Sequence, residues 1–482
     1  MNHRQGRFAL TGLMAVMLLA GCASQGDLAR SVQPVAPERY GVQAVDDAAP
    51  QAESAWWTAL GDPQLNALID TALRDSPTLQ SVQARLSRAQ AAVDLQSAAD
   101  KPQVQGKVQV DRQRFTEHGL YPPPVAGASL TSGTVQLQGQ WELDLFGRQR
   151  AQLDASLGQA RAASADAQAA RVLLSANVAR AYVQLARQMA QREVAVRALA
   201  QRDELLSLIR QRVQAGLDTL VEQRQGEGAL PETRQQIEAL DEQIALSRHQ
   251  IAALTAQPMD ATAMLAPRLG VLPQVAVPAE VPVNLLAQRA DVRANRWRAE
   301  AAGAEVDVAR TLFYPNLNIT AYLGFNAIGL DKVLKSGSDQ FGLMPALDLP
   351  LFDAGRRRAN LKGRLADQDN AVAAYNQAVL EAVHEVADQL VSARSVERQR
   401  AEQLAAQTAA ESAYDIARQR YSAGLGPYLS VLSAEAAVLN QRRLAVDLQA
   451  RALDVRVTLT RALGGQWPAP ATAFAAAPAS AL

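Results

Sequence analysis

The chain is 482 residues long, and its 48 Lys+Arg balance 48 Asp+Glu, so it carries no basic excess of the kind nucleic acid demands. Hydrophobic residues make up 48% of it but aromatics only 5%; alanine fills the gap, which favours long, closely packed helices over a thick globular core. One cysteine excludes an internal disulfide, and beyond the N-terminus no apolar run reaches the roughly 18 residues of a transmembrane helix.

In chain order, His3, Arg4 and Arg7 precede an apolar run over residues 8–20, the pattern of an export signal. The run ends in Leu19-Ala20-Gly21-Cys22, which resembles a bacterial lipoprotein signal; residues 1–21 are then the signal and Cys22 the lipidation site. The plainer alternative is a secretory signal with a chance cysteine. Ala23, rather than aspartate, implies outer-membrane sorting by the rule for such signals. Residues 22–62 read as a linker, and Asp62-Pro63 as the capped start of a helix that breaks near Pro77 and resumes to about Ala99.

Pro102 changes the period. Val104, Gly106, Val108 and Val110 alternate with Gln103, Gln105, Lys107 and Gln109; after a Gly/Pro-rich loop, Val135, Leu137, Gly139, Trp141, Leu143 and Leu145 alternate with Gln136, Gln138, Gln140, Glu142 and Asp144. Period two with one polar side predicts strands with one face wet and one apolar. From Arg148 to Gln211 there is no proline and only Gly158, so the helix reaches about 96 Å at 1.5 Å per residue. Two stripes, one through Val178, Tyr182 and Leu185 and one through Val183, Ala186 and Ala190, predict neighbours on both sides. Arg212-Val213-Gln214-Ala215-Gly216-Leu217 then reads as a tight turn, and Pro231 predicts a kink or break in the next helix.

The pattern then repeats. Arg420-Tyr421-Ser422-Ala423-Gly424-Leu425 copies the first turn at an offset of 420 − 212 = 208, Gly355 matches Gly147 at the same offset, and Pro315 matches Pro102 at 315 − 102 = 213. Residues 63–256 form one repeat, 257–283 a Pro-rich connector, 284–463 the second repeat and 464–482 an Ala/Pro-rich tail. The second pair of strands carries Leu317, Ile319, Ala321, Leu323 and Phe325, then Phe341, Leu343, Leu347 and Leu349. Strands of about ten residues match a tilted membrane crossing. Four of them cannot stand in lipid with open edges, so they need strands of other copies; three copies make twelve, with a lumen lined by Gln136, Gln138, Gln140, Asn316, Asn318 and Thr320. Phe115, Phe325 and Phe341 toward one end, and Phe146, Phe313, Tyr314 and Phe352 toward the other, read as interfacial girdles. A soluble sheet covered on one face also explains the alternation.

The order and spacing of Trp56-Trp57 with Asp62-Pro63, of Pro102 and Pro315, of Gly147 and Gly355, and of the two Ala-Gly-Leu turns resemble the TolC/OprM family of outer-membrane efflux proteins, in its NodT-type lipoprotein branch. The resemblance implies a mainly α fold with a membrane β-barrel portion: a trimeric tunnel of twelve strands, four per chain, continuing into a long α-helical barrel. It implies an exit duct fed by an inner-membrane pump, often proton-driven, through a periplasmic adaptor. Small toxic or amphipathic compounds are the expected cargo. Polypeptide secretion within the family, or a non-conducting lipoprotein spanning the periplasm, are the alternatives.

No enzymatic chemistry is legible. His3, His118, His249 and His384 form no ligand spacing with Cys22, no triad is discernible, and neither catalysis, a cofactor nor a metal is expected. The resemblance places adaptor docking at the turns: Arg212, Ala215, Gly216 and Leu217, and Arg420, Ala423, Gly424 and Leu425. The arginines alternatively only cap their own helices. It places the periplasmic gate just past the second turn, at Leu429, Ser430, Leu432, Ser433 and Glu435, where serines stand in place of the family's acidic residues.

Overall fold

The computed structural model describes residues 31–34, 55–271 and 288–465. The export signal, Cys22, part of the connector and the C-terminal tail lie outside the described residues. The elements in order are α1 (Pro63–Asp75), α2 (Pro77–Ala99), β1 (Gln103–Arg114), β2 (Ser129–Leu143), α3 (Arg148–Gln214), α4 (Leu220–Leu254), α5 (Ala290–Thr311), β3 (Asn316–Ile328), β4 (Asp339–Asp348), α6 (Arg356–Ser422) and α7 (Tyr428–Ala462). Helices α3 and α6 have 67 residues each, and α4 and α7 have 35 each, so the duplication extends to matched element lengths. The chain divides into two compact units, and both draw on both repeats.

The first unit contains the sheet. It joins residues 85–164 and 294–376, with the 31–34 segment. Its strands run antiparallel in the order β1-β2-β3-β4, so β2 of the first repeat pairs directly with β3 of the second. The register aligns the faces across the whole sheet. Gly106, Leu137, Leu323 and Phe341 form one rung, and Val104, Gly139, Ala321 and Leu343 another; between them lies Gln105, Gln138, Tyr322 and Gly342. One face is therefore apolar over all four strands and the other polar. The apolar face is bare: Val108, Phe341 and Leu343 are each more than 70% exposed.

Gly324 explains itself through this register. It lies between Gln136 and Gln340, whose side chains hydrogen-bond over it at 2.9 Å. A Cβ there would stand 2.2 Å from the Val135 carbonyl oxygen. Beside the sheet, Gly158 of α3 lets α5 approach closely, since a Cβ would meet Ala301 at 2.8 Å, and the Arg161 guanidinium lies 4.7 Å from the centre of the Trp297 ring. The Asp369 carboxylate accepts from the backbone N–H groups of Ser31, at 3.2 Å, and Val32, at 2.9 Å.

The described elements of the second unit are all helices. Asp62 caps α1 by accepting from the Gln64 and Leu65 N–H groups, and its other carboxylate oxygen accepts from the Tyr182 hydroxyl at 2.7 Å. Trp56 donates its indole N–H to Ser175 at 3.1 Å. The two predicted stripes of α3 pack into separate clusters: Val178, Tyr182 and Leu185 with Leu65 and Ile69, and Val183 and Ala186 with Leu269, Ala450 and Leu453. Arg180–Asp454 at 2.6 Å and Arg187–Asp447 at 2.7 Å stitch α3 to α7 at heptad spacing on both helices.

Three expectations change. Helix α4 is continuous through Pro231, so the chain does not break there. Proline withholds only the N–H owed to the Glu227 carbonyl; close by, the Ala229 carbonyl accepts from Arg202 and from the Thr233 hydroxyl. Strand β2 begins at Ser129 and ends at Leu143, so Leu145 lies beyond it. Phe313 belongs to no girdle: it is buried with Val306, Ala309, Leu361 and Leu365, whereas Phe146 and Tyr314 stack with ring centres 5.0 Å apart.

The glycines give a paired test of the sheet. Gly324→Ala should lower the thermal denaturation midpoint by the equivalent of about 1–3 kcal/mol, because backbone must move. Gly139→Ala, whose Cβ would meet nothing closer than 3.9 Å, should leave it near wild type. Equal midpoints for the two variants would contradict the register.

Candidate functional site

Both Ala-Gly-Leu turns are Schellman motifs, and each is built on glycine for the same reason. Gly216 has φ 73° and Gly424 φ 77°, in the left-handed region that a Cβ disfavours. The Leu217 N–H donates to the Arg212 carbonyl at 2.8 Å and Gly216 N–H to Val213 at 3.0 Å; Leu425 donates to Arg420 at 2.7 Å and Gly424 to Tyr421 at 3.0 Å. In such motifs an apolar residue at the leucine position often packs back on the helix. Here that position faces an arginine, and Leu217 and Leu425 stay exposed, as do Ala215 and Ala423.

Beyond their glycines the two turns diverge. Thr219 caps α4 in a full capping box with Glu222, whereas α7 begins after Pro427 with no side-chain cap. The arginines differ too. Arg420 donates to the Leu425 carbonyl at 3.3 Å, bracing its own turn. Arg212 is spent inside the chain. Its Nε donates to Asp218 at 2.9 Å and a terminal nitrogen to the other carboxylate oxygen at 3.3 Å, while its guanidinium stacks 4.7 Å over the Tyr421 ring. The Tyr421 hydroxyl donates to the same Asp218 carboxylate. A charged latch thus joins the turn of the first repeat to the last helical turn before its copy.

The latch sits on an apolar floor. Tyr421 packs with Ile209, Tyr414, Tyr428 and Val431, the Tyr421 and Tyr428 rings being 5.6 Å apart. Burial pushes the Asp218 carboxyl up, but the bonds from Arg212 and Tyr421 outweigh it and leave the group below its ordinary value. Burial and the Asp218 charge push the Tyr421 hydroxyl strongly up, so it remains a donor across the physiological range.

The gate candidates separate. Leu429 and Ser430 are exposed on the first turn of α7. Leu432 packs against the apolar floor, and the Ser433 hydroxyl donates back to the Leu429 carbonyl at 2.9 Å. Glu435 is not available to line a gate, because it is buried and bound to Arg202 at 2.9 Å. Arg202 also donates to Thr233 at 2.7 Å, so one guanidinium ties α3 to α4 and α7. Glu222 is likewise committed to Thr219. Among the described residues no group of His, Cys, Asp or Glu could hold a metal ion.

That Asp218 and Tyr421 act together on Arg212, and that Arg202 holds Glu435, were missed by sequence reasoning. For the first pair the signal was asymmetry within the duplication: at the offset of 208, Tyr421 stands where the first repeat has Val213, and Asp218, the residue that sets the first turn apart, where the second has Gly426.

A duplicated chain of this kind, with paired strands, paired long helices and two glycine turns, has the plan of a channel subunit. The sequence profile described as outer membrane efflux protein matches residues 68–257 and 281–465, and the chain belongs to that family. It is 31% identical over 489 residues to the multidrug resistance outer membrane protein MdtQ of Escherichia coli O157:H7, covering 96% of this chain and 99% of that protein. The fusaric acid resistance protein FusA of Burkholderia cepacia is 34% identical over 365 residues, 74% of this chain and 69% of that one. Among solved structures, the outer membrane protein VceC from Vibrio cholerae superposes with a TM-score of 0.79 at 35% identity, covering 85% of this chain and 98% of VceC.

The latch has a pH signature. Asp218 has a folded pKa below its unfolded value, so its contribution is complete above the unfolded pKa and is lost as pH falls through the folded one. Tyr421→Phe, which leaves the ring in place, should destabilise the protein by about 1–2 kcal/mol at neutral pH, and the difference from wild type should shrink below about pH 4. Denaturation midpoints at pH 7 and pH 3 check this; a difference that ignores pH would show that the latch is only packing.

Proposed function

We propose that this protein is the outer-membrane exit duct of a tripartite efflux system. Three copies close a twelve-stranded barrel and a helical tunnel, and the duct receives cargo from an inner-membrane pump, often proton-driven in this family, through a periplasmic adaptor. The observation that carries the reading is the sheet: four strands in register, one continuous apolar face, one polar face and two open edges. An open sheet has no place in lipid, whereas the same sheet closed with copies of itself satisfies every edge and encloses water. Resistance to small toxic compounds, stated in the names of MdtQ and FusA, supports such compounds as the cargo class.

Cys22 is the lipid anchor in this reading. Ser31 follows nine residues later and is held by Asp369. The two turns ring the periplasmic mouth and dock the adaptor, with the exposed Leu217 and Leu425 as its apolar contacts. Arg212 takes no part in docking, being occupied by Asp218. Leu429 and Ser430 form the constriction.

Purified protein reconstituted into planar bilayers should give discrete conductance steps; a protein that assembles but passes no ions would refute the duct. Because the constriction carries serine rather than carboxylate, multivalent cations should leave that conductance nearly unchanged, and Ser430→Asp should introduce block. Strong cation block of the wild-type protein would place acidic groups in the constriction instead.

A further inference from the structure

The open edges β1 and β4 are complementary in length, face and charge, and together they admit very few ways of joining. In an antiparallel ladder the numbers of paired residues add to a constant; for β1 and β2 it is 103 + 140 = 243. Because the strand order alternates direction, β4 of one copy meets β1 of a rotationally related copy antiparallel. β4 has ten residues and β1 twelve. Keeping all of β4 within the ladder requires a sum between 348 + 103 = 451 and 339 + 114 = 453. Facing supplies the second condition. The apolar face uses odd numbers on β4, as in Phe341, Leu343 and Leu347, and even numbers on β1, as in Val104, Val108 and Val110. A sum of 452 would turn one strand's apolar side into the other's polar side. Only 451 and 453 remain.

Both sums set Asp339 opposite an arginine: Arg112 at 451 and Arg114 at 453. Asp339 needs one. It continues the apolar face, beside Phe325, and its nearest rung holds Val135 and Val108. β4 contains Asp339 and Asp348 and no base, whereas β1 contains Lys107, Arg112 and Arg114 against Asp111, which already accepts from Gln109 at 2.7 Å. The sum of 451 also sets Phe341 against Val110, Leu343 against Val108 and Leu347 against Val104. The sum of 453 sets Phe341 against Arg112. Pro345 withholds at most one ladder bond in either case.

We infer that β4 of one copy joins β1 of a second copy at the 451 register, with Phe341 on Val110 as the contact that separates it from 453 and Asp339 on Arg112 as its charge pair. The inference rests on the multi-copy duct proposed above and adds the register of its joint and the contacts made there. A like charge at either position opposes pairing, so the same contact discriminates against a chain lacking the complement.

Cysteine pairs read the register directly, since directly opposed residues have Cα atoms about 4.5–5.5 Å apart, within disulfide reach. Full-length protein carrying Arg112→Cys with Asp339→Cys is oxidised in native membranes and compared with Arg114→Cys with Asp339→Cys. The first pair should give covalently linked multimers in about five-fold excess over the second, and single variants none. Dominance of the Arg114 pair would overturn the 451 register. Assembled multimers on native gels with no link from either pair would overturn the β1–β4 joint while leaving the duct standing. A single-copy protein on those gels would overturn the duct reading itself. The charge pair has its own arm. Asp339→Arg should lower the assembled fraction by about three-fold, the scale of one cross-strand charge pair, and Arg112→Asp added to it should restore assembly. Normal assembly of Asp339→Arg alone would remove the charge pair from the joint.

Discussion

The pairing of β2 with β3 is the joint on which the sheet depends. It runs from Ser132 opposite Ile328 to Leu143 opposite Leu317, and it sews the first repeat to the second by backbone hydrogen bonds. A slip of one residue would exchange the faces of half the sheet, setting Leu137 and Trp141 on the side of Asn318, Thr320 and Tyr322. Glycine guards the register. Gly324 admits no Cβ against β2, and Gly133 leaves room for Val333 and Leu330 of the β3–β4 turn, which a Cβ there would meet at 2.7 and 3.0 Å. With the joint set, all four strands share one apolar face, and that face is what makes the sheet a fragment of something larger.

In the helical unit, the two repeats have parted in chemistry while keeping their geometry. Both turns end in the same glycine motif with the same hydrogen bonds. Around that shared frame the first repeat supplies Asp218 and the second Tyr421, and Arg212 lies between them. Identical halves could not make this contact, because the acid and its phenol donor come from matched regions that have diverged. Elsewhere in the unit, half-buried Arg202 pairs with buried Glu435, and there the arginine also serves the backbone near Pro231. A buried pair of this kind costs desolvation and is a better guide to specific arrangement than to stability.

Much of the fold was legible because it is periodic. Alternation at Val104–Val110 and Val135–Leu143, the proline-free span after Arg148, and the recurrence at 208 residues are local patterns that need no tertiary information. The turns were legible because glycine followed by leucine after a long helix has few other uses. The failures were of a different kind. Pro231 carries a strong local preference against helix, yet tertiary partners at Ala229 and Thr233 accompany an unbroken α4. Phe313 has the look of a girdle residue, but adjacent Phe313 and Tyr314 point to different surroundings, one buried and one stacked on Phe146. Arg212 and Glu435 look like free functional groups in the sequence because no local pattern marks the partners that occupy them: Asp218 is only six residues from Arg212 but is bound there together with the distant Tyr421, and Arg202 lies far along the chain from Glu435.

The sequence by itself determined the elements, the duplication and the two-sidedness of each strand, since these follow from residue type at fixed spacing along one chain. Only the tertiary structure decided which strands pair and at what register, and which charges are spent within the chain. Strand pairing joins residues some 190 positions apart, as Leu137 and Leu323 show by 323 − 137 = 186, and the latch joins Asp218 to Tyr421 across 421 − 218 = 203. No local preference encodes such contacts; they arise where faces and charges must be satisfied together in three dimensions.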